Sequence, residues 1–187
     1  MLVLLASALF GPNLIANPNF NQDRKGFTTH YAYSRDLFYE GTFVVGDDPK
    51  KFHSGGFSMG DHTTGKGMML IINGGAFERD SVWQGTVKVE AGQRYEFSGW
   101  TASWSMNPND GTASDLNPGR LQIWIDGEPV GPVHKVEAKS GVWNQFTIPW
   151  KSGSKKQVEI KIVNTNVSNL GNDFALDDLF FGIAKEK

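Results

Sequence analysis

The chain has no cysteine among its 187 residues. This absence excludes a disulfide framework, thiolate catalysis and a cysteine-ligated zinc site. Positive charge is not in excess either: 18 Lys and Arg against 20 Asp and Glu give a net charge of −2. The chain therefore lacks the basic surface that binds nucleic acids. No apolar run approaches the roughly 20 residues of a membrane-spanning helix, so we expect no membrane insertion.

Sequence signatures of enzymes are also missing. There is no Gly-x-Ser-x-Gly elbow, no His-Glu-x-x-His and no glycine loop that opens a phosphate-binding helix. Glycosidases need two carboxylates about 5–10 Å apart, and nothing in the sequence points to a particular pair. We therefore expect a protein without enzymatic activity.

The N-terminus starts with a short apolar stretch at residues 2–10, with Ala6-Ser7-Ala8 in the small-x-small form of a cleavage site. No Lys or Arg precedes it. Two interpretations stay open for residues 1–12: the remnant of a secretion signal, or an ordered or appended first segment. We assign residues 13–187 to a single domain and expect it to be secreted or on the cell surface.

What the chain does contain is glycine, at 22 residues, aromatic side chains, and repeated alternation of apolar and polar positions. No apolar stripe of helical period exceeds two turns, so helix should be minor. Alternation predicts three hairpins: 82–89 with 94–104, 120–125 with 129–135, and 143–150 with 157–163. It also predicts a last strand over 173–182. About ten strands in this length predict an all-β sandwich of two antiparallel sheets.

Four segments in this order resemble secreted carbohydrate-binding modules of the family 4, 9 and 22 type: Asn13–Phe20, Gly92–Trp100, Gly141–Trp143 and Asn172–Leu179. The resemblance implies a galactose-binding-like jelly roll, a structural calcium and sugar binding by aromatic residues. Such modules are typically attached to polysaccharide hydrolases, so a larger secreted enzyme or surface protein is the implied context. A closer likeness is to uncharacterised bacterial surface domains that carry the segment found here at Gly60–Gly65, and it implies no activity.

The calcium site follows from the resemblance. In those modules an acidic residue after the first strand's Phe and the first Asp of a closing Asp-Asp pair share the ion. Here Asp177 matches the second position, but Asn21 follows Phe20. Asp23 is close enough to substitute, so the expected ligands are Asp177, Asn21 and Asp23. The alternative is that Asp177 caps the sheet edge through hydrogen bonds without a metal.

The sugar site is predicted from strand faces. Leu121, Ile123 and Ile125 should take the core side of their strand, which leaves Gln122 and Trp124 facing outward. Exposed indole rings are costly unless they are covered or bind a ligand, and sugar rings stack on them. One face of residues 94–104 also carries rings, so the predicted platform consists of Trp100, Trp104, Trp124, Gln122 and Glu96. The alternative is that the loop 105–119 folds over these rings as a second core.

The segment Gly60–Gly65 contains an acid, a histidine and two hydroxyls. Adjacent Asp61 and His62 point to opposite sides of an extended chain, so we favour a turn over a catalytic or metal site. The overall prediction is non-catalytic polysaccharide binding. Two alternatives stay open: a structural or adhesive surface domain without a sugar site, and a small polysaccharide lyase or hydrolase on the same fold.

Overall fold

The computed structural model describes residues 11–75 and 80–184. These ranges contain one 3₁₀ turn at Pro49–Lys51 and ten strands: β1 Ala32–Tyr33, β2 Thr42–Gly46, β3 Met69–Asn73, β4 Ser81–Lys88, β5 Arg94–Ser103, β6 Arg120–Ile125, β7 Glu128–Lys135, β8 Asn144–Lys151, β9 Gln157–Asn164 and β10 Phe174–Ile183.

The strands form two sheets. One has six strands in the order β1-β2-β3-β10-β5-β8, and the other has four in the order β4-β9-β6-β7. The described pairings are antiparallel except for the two-residue contact of β1 with β2. The predicted all-β jelly-roll sandwich is confirmed.

The main core lies between the sheets and follows the predicted alternation. In β6, Leu121, Ile123 and Ile125 are buried, whereas Gln122 and Trp124 on the other face are half-buried. From the six-stranded sheet, Tyr95 stacks on Phe181 with ring centroids 4.9 Å apart. Burial of each large apolar side chain contributes about 1.5–3 kcal/mol, so period-two patterning of this kind fixes which face of each strand points inward.

Of the three predicted hairpins, one is correct. β6 and β7 pair through a turn in which Asp126 and Gly127 have φ of 55° and 85°, as a two-residue turn of the primed type requires. The other two are wrong, because β4 and β9 belong to the four-stranded sheet and β5 and β8 to the six-stranded sheet. Their connections cross from one sheet to the other, and alternation alone cannot distinguish such a crossing from a hairpin.

A second hydrophobic cluster covers the outer face of the six-stranded sheet. Its buried members are Leu37, Val44, Met69, Ile71, Trp104 and Ala175, and Phe52, Met59 and Trp143 pack against them. Phe52 and Met59 belong to the long connection between β2 and β3. This face is therefore not an open groove.

The expectation for residues 1–12 falls mainly on residues 1–10, outside the described residues. Gly11 lies beside the end of β10, since its N–H donates to the Ile183 carbonyl at 2.9 Å. Within 11–75 and 80–184, no helix is long and apolar enough to cross a bilayer.

Candidate functional site

A cleft of about 450 Å³ opens at one end of the six-stranded sheet, where the central strands β3 and β5 end and β10 begins. This volume lies within the roughly 300–1,000 Å³ of small-molecule sites. The walls come from four connections, which follow β1, β2, β5 and β9. The residues used below are Phe38, Glu40, His53, Trp104, Ser105, Leu170, Gly171 and Asp173.

Two ring nitrogens at this cleft have no partner. Trp104 is 1% exposed, and its indole Nε1 is buried without an acceptor among the described residues. His53 Nδ1 is likewise buried and unpaired in that part of the chain, and the two rings are 5.5 Å apart. Burial lowers the pKa of His53, so the imidazole is neutral at neutral pH. A buried polar group without a partner costs about 1–3 kcal/mol, which a ligand that completes the bond would recover.

The rim of the cleft is apolar and exposed. Phe38 is 69% exposed and Leu170 51% exposed. Phe38 meets the ring of Tyr39 edge-on at 5.2 Å. Large exposed rings of this kind point to ligand contact more than to packing.

Two carboxyl groups also line the cleft. Asp173 accepts a hydrogen bond from Ser105 Oγ at 2.9 Å and a longer one from the Gly74 N–H at 3.3 Å. Burial, with added repulsion from Asp115 and Glu40, raises the pKa of Asp173 to about 8. Burial also raises the pKa of Glu40. Asp173 is therefore mostly protonated at neutral pH.

The loop 105–119 forms one wall and is held by Asp115. The Asp115 carboxylate is buried and accepts bonds from Ser103 Oγ at 3.0 Å and from the Asn117 N–H at 2.9 Å. A Cβ on Gly171 in the opposite wall would lie 2.2 Å from Asp115 Oδ1, and its φ is +78°. Only glycine fits at that position.

The prediction that the three tryptophans share one sheet face is wrong. Trp100 and Trp104 belong to the outer face of the six-stranded sheet, whereas Trp124 lies on β6 of the other sheet. Trp104 is buried in the second cluster, so its ring is covered as in the alternative, but no residue of 105–119 belongs to that cluster. Part of the cover is the β2–β3 connection, whose His53 ring lies 5.5 Å from Trp104. Trp100 is half-buried, and its ring is stacked on His62 at 3.9 Å.

The two polar members of the platform are also separated. The amide of Gln122 is bound to the backbone of β6 and β7, since its Nε2 donates to the carbonyls of Ile123 and Val130 at 3.1 and 3.0 Å. Glu96 lies on β5 four residues from Trp100, or about 13 Å along the strand at ~3.3 Å per residue. Neither residue lines the cleft.

The predicted calcium ligands have different surroundings. Asp177 is fully buried; it accepts the His62 N–H at 2.9 Å and its neighbour's N–H at 2.8 Å. Burial, with repulsion from Asp178 and Asp61, raises its pKa to about 7, and the described residues place no cationic side chain within 4.0 Å of it.

The other two proposed ligands fit less well. Asn21 Oδ1 accepts the Met68 N–H at 3.2 Å, and the Asp23 side chain is 64% exposed beside Arg24. Over the described ranges, no group of three Asp, Glu or His side chains is arranged to hold a metal ion. Asp177 is thus a buried carboxyl group without a cationic partner in the described residues, whereas Asp23 is exposed and is not grouped with it as a second acidic ligand.

The segment Gly60–Gly65 is a turn, as favoured. Asp61 accepts hydrogen bonds from the N–H of Gly67 at 2.6 Å and of Thr64 at 3.1 Å. Burial alone would raise the pKa of Asp61, but these bonds outweigh it and lower the pKa. His62 Nδ1 lies 2.8 Å from Asp178 Oδ2, which ties the turn to β10.

Sequence reasoning missed most of the cleft. Phe38, Glu40, His53 and Asp173 come from loops whose approach depends on the whole sheet order. One signal was available: an aromatic pair, Phe38-Tyr39, in a polar segment without strand alternation.

No family model matches the chain, and no curated protein matches it. Solved structures do. The CBM22-1 xylan-binding domain of Paenibacillus barcinonensis Xyn10C is 14% identical, with 97% of this chain and 100% of that one covered and a TM-score of 0.59. TmCBM61, solved with β-1,4-galactotriose, is 13% identical over 92% and 99% at a TM-score of 0.59. The chain therefore shares the jelly-roll β-sandwich fold of these two carbohydrate-binding modules.

The same fold also carries other functions. A Stig cyclase, Fisc from Fischerella sp. TAU, is 10% identical over 97% of this chain and 100% of its own, with a TM-score of 0.62. At such identities the likeness shows the fold alone, and a fold does not determine an activity.

Proposed function

We propose that this chain is a non-catalytic module that binds an oligosaccharide or polysaccharide, as part of a secreted or surface protein, and that the sugar occupies the cleft at Trp104. The observation that carries the proposal is the buried indole N–H of Trp104, which has no acceptor in the described residues and belongs to a cleft with an exposed aromatic rim. The carbohydrate-binding fold supports the same ligand class.

The indole N–H and the rim have complementary tasks. A small side-chain movement would open the buried Trp104 Nε1 to the cleft. A sugar hydroxyl then accepts its hydrogen bond, and this bond recovers the free energy lost by leaving that group unpaired. Phe38 supplies a ring on which the apolar C–H face of a sugar stacks, at about 0.5–1.5 kcal/mol for an aromatic contact. His53 Nδ1 provides a further unpaired nitrogen beside Trp104.

The cleft is favoured over the flat outer face of the six-stranded sheet. Phe52 and Met59 cover that face, and His62 covers the ring of Trp100. A polysaccharide strand laid across it would have to displace this packing. The cleft at the ends of β3 and β5 is already open beside Phe38 and Leu170.

Binding without cleavage is the expected outcome, although two carboxyl groups line the cleft. Both oxygens of Asp173 already accept hydrogen bonds from Ser105 and Gly74, and that arrangement serves to connect loops. Polysaccharides incubated with the protein should therefore release no reducing ends.

The variant Phe38→Ala tests the proposal. An array of plant, algal and bacterial glycans first identifies a bound sugar. Phe38→Ala should then weaken binding to that sugar at least tenfold, about 1.4 kcal/mol, with a nearly unchanged melting temperature because the ring is exposed. The matched control is Trp124→Ala, which removes a ring from the other sheet and should leave affinity unchanged. A wild-type protein that binds no glycan would contradict the proposal and favour a structural or adhesive domain.

We also propose a structural calcium at Asp177. A fully buried carboxylate beside two further acids, without a cationic partner in the described residues, is the environment that a divalent cation neutralises. Asn21 can add a neutral oxygen through rearrangement of its bond to Met68. The ion would stabilise the contact of the N-terminal segment with β10.

A further inference from the structure

The charges at the cleft have one sign. Glu40 and Asp173 line it, Asp115 lies directly behind, and no lysine or arginine is among the described lining residues. Burial is the main reason for the lowered pKa of His53; the charge of Asp36 opposes it, and the nearby cation Lys50 adds a smaller lowering effect. Lys50 is itself bonded through Nζ to the Ser54 carbonyl. The cleft therefore has a negative potential wherever its carboxyl groups are ionised.

Such a potential disfavours acidic sugars. A uronate or a sulfate would bring a further negative charge beside Glu40 and oppose ionisation of Asp173, and the described lining residues include no lysine or arginine to neutralise it. A protonated amine has the opposite effect, because it forms charge-assisted hydrogen bonds with carboxylates. Aromatic faces such as that of Phe38 also attract ammonium groups.

The unpaired indole N–H adds a second requirement. Trp104 Nε1 can only donate, so the ligand must offer an oxygen to it. A simple alkylamine meets the charge requirement but not this one, and a neutral sugar meets only the second. A sugar ring that carries both hydroxyls and a protonated amine meets both.

We propose that the cleft selects amino sugars, such as β-1,4-linked glucosamine, with the ammonium group at Glu40 and Asp173 and a hydroxyl at Trp104. This inference rests on the proposed function, because it names the sugar class for the same cleft. Asp173 gives it a distinctive consequence. Since burial holds this carboxyl protonated at neutral pH and below, a bound ammonium shifts it toward the ionised form. In a mildly acidic buffer, where the free amine is already protonated, the carboxyl proton passes to the buffer on binding.

The experiment is calorimetric titration of the full chain with three tetrasaccharides: the β-1,4 tetramers of glucosamine, N-acetylglucosamine and glucose. The glucosamine tetramer should bind at least tenfold more tightly than the other two. Repeating the titration in buffers of different ionisation enthalpy should reveal proton release for the glucosamine tetramer only. Glu40→Gln should reduce the preference to below about threefold by weakening the binding of the glucosamine tetramer. Glu128→Gln removes the same charge from exposed β7 and should retain the full preference.

The outcomes separate the two proposals. Equal affinity for the glucosamine and glucose tetramers would overturn the amino-sugar selectivity and leave sugar binding intact. A preference for glucosamine that survives Glu40→Gln, or that falls equally in Glu128→Gln, would assign it to overall charge and also overturn it. Failure of all three tetramers, together with a blank glycan array, would overturn the proposed function itself.

Discussion

Ser105 has one hydroxyl proton but lies between two carboxyl groups. Its Oγ is 2.9 Å from Asp173 Oδ2 and 3.2 Å from Asp115 Oδ2. The single Ser105 proton can serve only one of these carboxyl groups at a time, so the hydrogen bond that favours ionised Asp173 is shared with Asp115, and burial leaves Asp173 protonated. The raised pKa of Asp173 and the hydrogen-bond geometry therefore agree.

This arrangement predicts the effect of Asp173→Asn. An asparagine reproduces the protonated carboxyl: its NH₂ donates to Ser105, and its oxygen accepts the Gly74 N–H. The folded pKa of Asp173, about 8, lies above the ordinary 3.8, so the folded state holds more protons than the unfolded state between these values. Its contribution to stability is complete below about pH 4 and is lost as the pH rises through 8.

The measurement is the free energy of unfolding by urea at pH 7 and pH 9, above the range in which His53 and His134 titrate. Stability of the wild type should fall over this interval, and Asp173→Asn should fall less. The matched variant Glu128→Gln should follow the wild type. If Asp173→Asn retained the full wild-type decline, the protonated state of Asp173 would be refuted.

At the scale of elements, the N-terminal segment and the β2–β3 connection both depend on β10. The N-terminal segment and β10 exchange two backbone hydrogen bonds, since the Leu14 N–H donates to the Phe181 carbonyl and the Leu179 N–H donates to the Pro18 carbonyl. His62 reaches Asp177 and Asp178 on β10 from the other side. The bulge between Asp177 and Phe180 in the pairing with β5 lies at this point, where β10 meets both segments.

A calcium ion at Asp177 would therefore stabilise two connections together. Because it binds only the folded state, calcium at a hundred times its Kd would add about 2.7 kcal/mol to the free energy of unfolding. Excess chelator should lower the melting temperature, and added calcium, but not magnesium, should restore it. The variant Asp177→Asn should show little response to either reagent. A wild-type melting curve that does not change in chelator would exclude the ion.

For the whole molecule, the positions and faces of β4 to β10 were predictable, whereas β1 to β3 and all strand partners except β6 with β7 were not. Leu121, Ile123 and Ile125 could be assigned to the core because period-two burial is a local property of one strand. The cross-sheet connections and the burial of Trp104 depend on segments far apart in the chain, such as the β2–β3 connection over β3 and β10. The platform failed for this reason, since a shared facing direction does not place Trp100 and Trp124 on one sheet.

The cleft is likewise a product of the sheet order. Asn73, Trp104 and Asp173 are each within one residue of the end of β3, β5 or β10, and antiparallel pairing brings these ends to one edge. Only Trp104 stood out in the sequence, and it was assigned to an exposed surface. Its indole N–H nevertheless remains the group on which the functional proposal depends.

The most direct test follows the indole N–H resonances of the six tryptophans by ¹⁵N-edited NMR during titration with a bound oligosaccharide, after assignment by single Trp→Phe variants. Sugar in the cleft should shift the Trp104 resonance downfield as its N–H gains an acceptor, and leave that of Trp124 in place. A titration that shifts Trp124 or Trp100 while Trp104 stays unchanged would place the sugar elsewhere and contradict the account.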